Sequence, residues 1–394
     1  MNRFGLRRRA LLLGGAGVAL PVPASSGAGA AREAVIPARG VHPRPLVFPG
    51  DFGAHPDTRL EWWYVTGVLD NADAPAGAPA FGFQITFFRS RTNVPADHPS
   101  RFAATQLYFA HVALTDVQAR TMRHDQRIAR RGFGRAGAAQ GDTQVAIGTW
   151  QLAREGSAAA AFSGGAGVAA VGTDAPSYRA QIASDTGGFA FDFALRSTQP
   201  LLLQGDAGFS RKGPRPEQAS HYYSVPHLAV SGKLRQEGKV RRIRGQAWLD
   251  HEWSDALLDP QAVGWDWVGM NLDDGSALTA FRLRRADGTA LYAGGSFRRH
   301  DGAVTAFAPD AVRFVARRTW RSPASNAVYP VTWRLETPAG RFEVASVLDN
   351  QELDSRNSTG AIYWEGLSEL KSASGQRVGR GYLEMTGYAG ALRL

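Results

Sequence analysis

The stretch Glu61–Leu69 reads EWWYVTGVL, and its residue types decide the fold class. Aromatic and β-branched residues favour a half-buried strand, because their side chains pack well on a pleated surface. The run ends in residues 70–80, which are rich in Gly, Ala, Pro and Asp, and Phe81–Phe88 then repeats its character. The two runs predict short β-strands separated by a loop.

The same strand-like pattern continues to the end of the chain. From about residue 45 onward the hydrophobic residues alternate with a period of two, and helical periodicity is weak. Asp273-Asp274-Gly275 and Asp287-Gly288 are typical of hairpin turns. Strands spaced by about 10–15 residues predict sandwiches or barrels, and two halves of about 170 residues fit two eight-stranded barrels. The sequence therefore predicts an all-β chain of two antiparallel β-barrel domains packed together.

Composition excludes several classes of function. The chain has 394 residues and no cysteine, which excludes disulfide scaffolds, zinc–thiolate sites, iron–sulfur clusters and cysteine nucleophiles. Its 20 Phe, 10 Trp and 10 Tyr can fill a large core, so disorder is excluded as the main state. The formal net charge is +10, but the arginines are scattered, and nucleic acid is not an expected partner.

The N-terminus has the features of an export signal. Three adjacent arginines at positions 7–9 precede an apolar run over residues 10–20, and Ala28-Gly29-Ala30 is typical of a cleavage site. We expect residues 1–30 to be a signal peptide of the twin-arginine type, and the mature protein to be periplasmic or secreted. An uncleaved anchor is the alternative.

The rest of the chain divides, by its strand pattern, into three parts. Residues 31–44 are predicted to be a linker. Residues 45–225 are predicted to form the N-terminal barrel and residues 226–394 the C-terminal barrel.

The densest cluster of reactive side chains follows a strand in the second half of the chain. Asp250, His251 and Glu252 are adjacent, and Asp266 stands between two tryptophans. Burial among indole rings would raise the pKa of Asp266, so this residue is the candidate general acid and His251 the candidate base. The alternative is that Asp266 faces solvent and His251 bonds turn backbone. Asp250 and His251 would face opposite sides of a strand, which argues against a shared metal ion.

Other polar residues in aromatic strands have structural interpretations. Glu61 is expected to pair with an arginine across a barrel mouth, and His111 to be a core histidine. The glutamates of the closing strands, Glu365 and Glu384, are expected to be ion-paired. No phosphate loop, dinucleotide fingerprint or serine-nucleophile elbow is present.

Several motifs together resemble those of one family, and they occur in the family's order. They are Arg59–Tyr64, Tyr222–Pro226, Trp248–Trp253, Gly264–Trp267 and Gly381–Tyr388. They resemble the AttH-like secreted proteins, which are related to carotenoid 1,2-hydratases (hydroxyneurosporene synthases). The resemblance implies two lipocalin-like barrels that hold an isoprenoid- or lipid-like ligand.

The resemblance also implies a chemistry. In the hydratases a His-x-Trp element and an aspartate add water to a C=C bond, and His251, Trp253 and Asp266 match those positions, although Gly264 replaces a tyrosine of that pattern. Asp266 and His251 are therefore the expected catalytic pair, facing one cavity roughly 4–8 Å apart so that a water or alkene could lie between them. The expected ligand-binding residues are Trp253, Trp265, Trp267, Tyr222 and Tyr223.

No cofactor or metal is expected for this chemistry. Two further functions stay open: a non-catalytic lipid-binding protein that serves an ABC-type permease, and a secreted hydrolase. The oligomeric state is left open by the sequence.

Overall fold

A computed structural model describes residues 41–73, 79–155, 176–255 and 258–392. The expected signal peptide, and all of the expected linker except residues 41–44, lie outside the described residues. Among the described residues, no helix is long and apolar enough to cross a membrane.

Thirteen strands form the first antiparallel sheet, after a short 3-10 helix at Gly50–Phe52. The strands are β1 Leu60–Asn71, β2 Phe81–Arg91, β3 Gln106–Asp116, β4 Thr121–Arg130, β5 Ala136–Ala138, β6 Gln144–Ile147, β7 Trp150–Arg154, β8 Ser177–Ser184, β9 Phe189–Ser197, β10 Leu202–Leu203, β11 Phe209–Arg211, β12 Ala219–Gln236 and β13 Lys239–Ser254.

Ten strands form the second antiparallel sheet, with a second 3-10 helix at Pro309–Ala311. The strands are β14 Ala262–Leu272, β15 Ala277–Arg285, β16 Ala290–Arg298, β17 Val304–Ala306, β18 Arg313–Arg321, β19 Val328–Thr337, β20 Gly340–Ser346, β21 Glu352–Ser355, β22 Ala361–Ser372 and β23 Arg377–Met385.

The two sheets confirm the predicted all-β architecture. The first is a nearly closed barrel in the order β4-β3-β2-β1-β13-β12-β9-β8-β7-β6-β5, and the second is a half-barrel in the order β17-β16-β15-β14-β23-β22-β20-β19-β18. Both are consistent with lipocalin-like barrels. The period-two pattern forms them because alternate side chains of a strand point to opposite faces.

Alternation sorts the buried side chains of the described residues into several groups, three of which concern the site. The first core lies inside the first sheet and includes Trp63, Leu249 and Trp253. The second core lies inside the second sheet and includes Val268 and Met270. A third group lies between the sheets, partly buried side chains such as Trp62 and Trp265 pack against it, and its buried apolar members are Tyr64, Leu202, Trp248, Trp267, Ala277, Phe281, Leu367 and Tyr382. We call this third group the inter-sheet layer.

Sheet membership places the division of the chain later than the sequence predicts. The expected boundary between residues 225 and 226 falls inside β12, and the chain changes sheets between Ser254 and Ala262. Pro226, beside the expected boundary, cannot donate a ladder hydrogen bond. The structure accommodates it with a bulge between Val225 and Leu228, so the strand continues.

Candidate functional site

The inter-sheet layer contains four carboxyl groups that we call the carboxyl cluster. Asp250 and Glu252 come from β13, Glu365 from β22 and Glu384 from β23. Asp250 and Glu252 have the same parity as Trp248, so all three leave the first sheet on its outer face. Besides burial, the charges of Asp250 and Glu252 raise the pKa of Glu384. Carboxyl groups of both sheets therefore belong to one site.

Asp250 is held by three donors. The Tyr222 hydroxyl donates to its Oδ2 at 2.8 Å, and Ser224 Oγ and Trp248 Nε1 donate to its Oδ1 at 2.5 and 2.7 Å. Burial nevertheless raises the pKa of Asp250 to about 7, because the three hydrogen bonds do not offset the loss of hydration. The carboxyl group is therefore divided between its neutral and ionised forms near pH 7.

Glu252 is the member of the cluster with a cationic partner. Lys212 Nζ lies 3.1 Å from Glu252 Oε1, and Ser220 Oγ donates to the same oxygen at 2.5 Å. The Lys212 ammonium also lies 4.4 Å from the ring centroid of Tyr222 and 4.5 Å from that of Phe281. One cation thus joins the charged end of the cluster to two aromatic faces of the layer.

Glu365 and Glu384 lie directly opposite each other in the register of β22 and β23. Burial, aided by Asp250 and Glu252, raises the pKa of Glu384 to about 8, and burial together with Glu384 raises the pKa of Glu365 well above its ordinary value. The sequence-based expectation of ion pairs is wrong for both residues: no Lys or Arg of the described chain pairs with either. A carboxyl group buried without a cation stays protonated, because the charged form loses its hydration.

Three buried polar atoms of the layer make no well-formed hydrogen bond to a described residue. They are Tyr64 Oη, Gln84 Oε1 and Glu365 Oε1, of which Tyr64 and Glu365 lie close enough to shift each other's pKa. The side chains of Trp62 and Trp265 are only partly buried there. The layer can therefore pair with the polar groups of a ligand whose body contacts indole and phenol rings.

The structure separates the residues that the sequence assigned to one site. Tyr222, Trp265 and Trp267 lie in the inter-sheet layer, with Trp267 edge-on to Tyr64 at 5.5 Å between ring centroids. His251, Trp253 and Tyr223 face the first core.

Asp266 faces the second core instead. It is fully buried and accepts a hydrogen bond from Arg282 Nε at 2.7 Å and one from the Tyr388 hydroxyl at 2.9 Å. The expectation that Asp266 and His251 share one cavity is therefore wrong. Asp266 has the parity of Val268 and Met270 on β14, whereas His251 lies on β13 of the other sheet and points into that barrel.

His251 belongs to a hydrogen-bonded chain inside the first barrel. Its Nε2 lies 3.0 Å from Glu61 Oε1 and its Nδ1 lies 3.0 Å from the Tyr223 hydroxyl. His55 Nδ1 lies 2.8 Å from the same Glu61 oxygen, and Arg89 Nε donates to Glu61 Oε2 at 2.7 Å. Arg89 is the arginine partner that the sequence predicts for Glu61.

The pKa values of the residues in this hydrogen-bonded chain depend on burial and on their hydrogen-bond partners. Burial raises the pKa of Glu61, but hydrogen bonds from His251 and His55 outweigh it and hold the pKa well below its ordinary value. Burial lowers the pKa of His251, whereas hydrogen bonds to Asp51 and Glu61 overcome burial and raise the pKa of His55. The pairings thus favour the ionised form of Glu61, the protonated form of His55 and the neutral form of His251.

The donor atoms of His55, Glu61 and His251 all lie within 4.8 Å of one another, so these side chains could hold a metal ion by geometry. Glu61 is already fully engaged, because it accepts hydrogen bonds from both histidines and from Arg89. A divalent ion would add charge beside the buried guanidinium of Arg89, so the set is better suited to hydrogen bonding than to a metal.

Comparison with known proteins identifies the family. A model of the AttH-like family matches residues 39–388. The chain belongs to the AttH-like family. A crystal structure described as an AttH from Nitrosomonas europaea is 46% identical, with a TM-score of 0.77 over 88% of this chain and 98% of that one. The family resemblance inferred from the sequence motifs is confirmed.

A hydratase also appears among the relatives of this AttH-like chain. Kievitone hydratase from Fusarium solani subsp. phaseoli is 22% identical over 197 residues, which is 49% of this chain and 55% of that protein. The chain thus spans about half the length of the curated relative it matches. The crystal structure of kievitone hydratase from Nectria haematococca is 16% identical, with a TM-score of 0.62 over 89% of this chain and 95% of that one, and shares the fold.

Sequence reasoning missed the two neutral glutamates of this AttH-like protein. A signal for them exists: Tyr363 and Glu365, like Tyr382 and Glu384, are two residues apart and share a strand face. Trp248 and Asp250 repeat this aromatic–acid spacing in the first sheet. An acid that shares its face with an aromatic residue in a central strand is a candidate for burial without a counter-ion.

Proposed function

We propose that this protein binds an apolar, isoprenoid- or lipid-like molecule in the inter-sheet layer and adds water across one of its C=C bonds. The observation that carries the proposal is Glu384, a carboxylic acid that is neutral at pH 7 beside the indoles of Trp265 and Trp267. A neutral carboxylic acid in an apolar site is a general acid that can protonate a weak base such as an alkene.

Glu384 begins the reaction. Trp265 Nε1 donates to Glu384 Oε1 at 3.1 Å, which orients the carboxyl group. The acidic proton of Glu384 moves to the less substituted alkene carbon, where a C–H bond forms as the π bond breaks. The positive charge falls on the more substituted carbon, and the faces of Trp265 and Trp267 stabilise it by roughly 0.5–2 kcal/mol each.

Asp250 completes the addition. A water oxygen forms the C–O bond at the cationic carbon, and the ionised carboxylate of Asp250 takes the proton that this water loses. Glu384 is left ionised and Asp250 protonated, so one proton must pass from Asp250 to Glu384 to restore the site. The electrostatic coupling of the two groups and their pKa values of about 7 and about 8 favour that transfer.

The comparisons support hydration as the reaction class. The curated relative that matches this chain is named as a hydratase, and a structural neighbour carries the same name. Export to the periplasm, proposed from the N-terminal arginines and the following apolar run, would place the protein beside the cell's lipids.

The test measures incorporation of labelled water. Purified protein is incubated with farnesol, which carries trisubstituted double bonds, in ¹⁸O-labelled water. The mass of the product is then measured by mass spectrometry. We expect an alcohol heavier by one labelled water, lost in Glu384→Gln and retained in the control Glu343→Gln, a surface residue of β20. Unchanged activity of Glu384→Gln contradicts the proposed mechanism, and binding of farnesol with no labelled product leaves a binding protein without turnover.

A further inference from the structure

The second core contains two arginines that face one aspartate. Arg282 and Arg284 are two residues apart on β15 and share the inward face with Ala280, a member of the second core. Arg282 Nε lies 2.7 Å and Arg284 Nε 3.6 Å from the same oxygen, Asp266 Oδ2. The side chain of Arg284 is 7% exposed and that of Arg282 is 12% exposed. Two guanidinium charges therefore face a single carboxylate in a nearly dry site.

Both guanidinium groups keep unused donors. Arg282 Nη1 reaches the carbonyls of Gly288 and Phe314 at the long distances of 3.5 and 3.4 Å, and Arg284 Nη2 donates to the carbonyl of Thr386 at 2.5 Å. No described residue accepts a hydrogen bond from Arg282 Nη2, Arg284 Nη1 or Arg284 Nε. A guanidinium offers five N–H donors in a planar fork that matches a carboxylate, so the site has donors for a second one.

A buried indole lies beside the two arginines. Trp333 is 1% exposed, and its Nε1 has no hydrogen-bond partner among the described residues. The guanidinium of Arg282 lies 4.9 Å from the ring centroid of Trp333, so the indole borders the arginine site. A buried donor without a partner is unfavourable, and a ligand that supplies an acceptor would satisfy it.

The walls of the site are aromatic. Phe314 lies edge-on to Trp333 at 5.8 Å, and the Tyr388 ring lies 3.9 Å from the guanidinium of Arg284 and 5.4 Å from Tyr329. Burial and the charge of Glu352 raise the pKa of Tyr329. The carboxylate of Glu352 accepts hydrogen bonds from the hydroxyls of Ser322 and Ser325. Aromatic rings beside two guanidinium groups suit an amphipathic molecule with an acid head.

We infer that the second core binds the carboxylate of an amphipathic organic acid, with Arg282 and Arg284 as its clamp and the aromatic rings around its hydrocarbon body. The ligand carboxylate would be the second negative charge opposite the two guanidiniums. This site is separate from the inter-sheet layer, because β14 presents Asp266 to one and Trp267 to the other.

Calorimetric titration with decanoate and with decan-1-ol tests the inference. We expect one decanoate per chain and at least tenfold weaker binding of decan-1-ol, which has the same chain length without the charge. Arg284→Gln should weaken decanoate at least tenfold, because it removes one arm of the clamp and leaves the Asp266–Arg282 pair in place. Arg317→Gln, an exposed arginine on β18, is the matched control and should bind like the wild type.

Two further variants keep the result interpretable. If Arg284→Gln fails to fold, Arg284→Lys takes its place. It preserves the charge but not the planar fork, so it should bind decanoate with an affinity between those of the wild type and a variant without the charge. Trp267→Leu alters the inter-sheet layer and should leave decanoate binding unchanged. The inference is overturned if folded Arg284→Gln binds decanoate as tightly as the wild type does. It is also overturned if the wild type binds decan-1-ol as tightly as decanoate, or if decanoate binding is lost in Trp267→Leu and not in Arg284→Gln.

Discussion

Glu365 and Glu384 stand opposite each other on β22 and β23, between the two sheets, without a cation partner in the described chain. Two like charges at directly opposed positions of a sheet repel, and in a dry layer the repulsion is not screened. The pair therefore holds at least one proton at neutral pH. The pair of Glu365 and Glu384 thus differs from Glu61 in the first core, which is paired with Arg89 and has a lowered pKa.

The raised pKa values predict that stability falls as the pH rises. A carboxyl group whose folded pKa is above its unfolded value binds more protons in the folded state, so stability is lost between the two values. For Glu384 the loss should run from about pH 4.5 to about pH 8, at no more than about 1.4 kcal/mol per pH unit for each group. Urea unfolding between pH 5 and pH 9 measures the slope, and Glu384→Gln should flatten it. A stability that rises steadily to pH 9 would contradict the prediction.

Removal of Glu61 should destabilise the first barrel strongly. Glu61→Gln leaves the guanidinium of Arg89, whose side chain is fully buried, without its counter-charge, and breaking such a pair costs about 3–5 kcal/mol. The exposed pair of Arg179 and Asp192 is the matched control, and Asp192→Asn should cost no more than about 1 kcal/mol. Free energies of unfolding in urea give both numbers, and equal losses would show that Glu61 and Arg89 do not form a buried pair.

Neighbouring tyrosines on opposite faces of β12 offer a test of the base. The Tyr222 hydroxyl donates to Asp250 and helps to lower the pKa of that carboxyl, so Tyr222→Phe should raise this pKa. The acidic limb of the pH–rate profile for water addition should then move to higher pH, because the ionised form of Asp250 is the base. Tyr223→Phe, whose hydroxyl contacts His251 instead, should leave that limb in place. A shift in the Tyr223 variant alone would assign the base role to His251.

Asp266→Asn should destabilise the second barrel. The substitution leaves the guanidiniums of Arg282 and Arg284 without a charged partner in the second core, and the expected cost is about 3–5 kcal/mol. Asp301→Asn, in an exposed turn, is the control and should leave stability close to that of the wild type. Thermal unfolding measures both. Full loss of turnover without loss of stability in Asp266→Asn would instead restore Asp266 as a catalytic acid.

The all-β fold could be predicted from the sequence because alternation is a local property. Strand β9 shows it directly: its buried and more exposed residues alternate from Phe189 to Ser197. The same rule correctly separates Asp250 from His251 on β13, since neighbours on a strand point to opposite faces. It fails for Asp266 and His251, because parity within a strand does not tell which barrel's interior a side chain enters.

The protonation of the glutamates could not be predicted, because it depends on a neighbour from another part of the chain. Glu365 and Glu384 each resemble an ordinary ion-paired strand residue, and only the register of β22 with β23 shows that they face each other. The boundary near residue 225 failed for a similar reason. A proline in a strand can mark its end or a bulge, and only the pairing of β12 with β13 distinguishes the two.

We expect Glu384 to be a neutral acid between the two sheets at pH 7. Infrared difference spectra of the wild type against Glu384→Gln test it, because protonated and ionised carboxyl groups absorb in different regions. We predict that the wild type carries the additional band of a protonated carboxyl group at pH 7, and that the band disappears as the pH rises through about 8. A difference spectrum at pH 7 that contains only the bands of an ionised carboxylate would contradict the account.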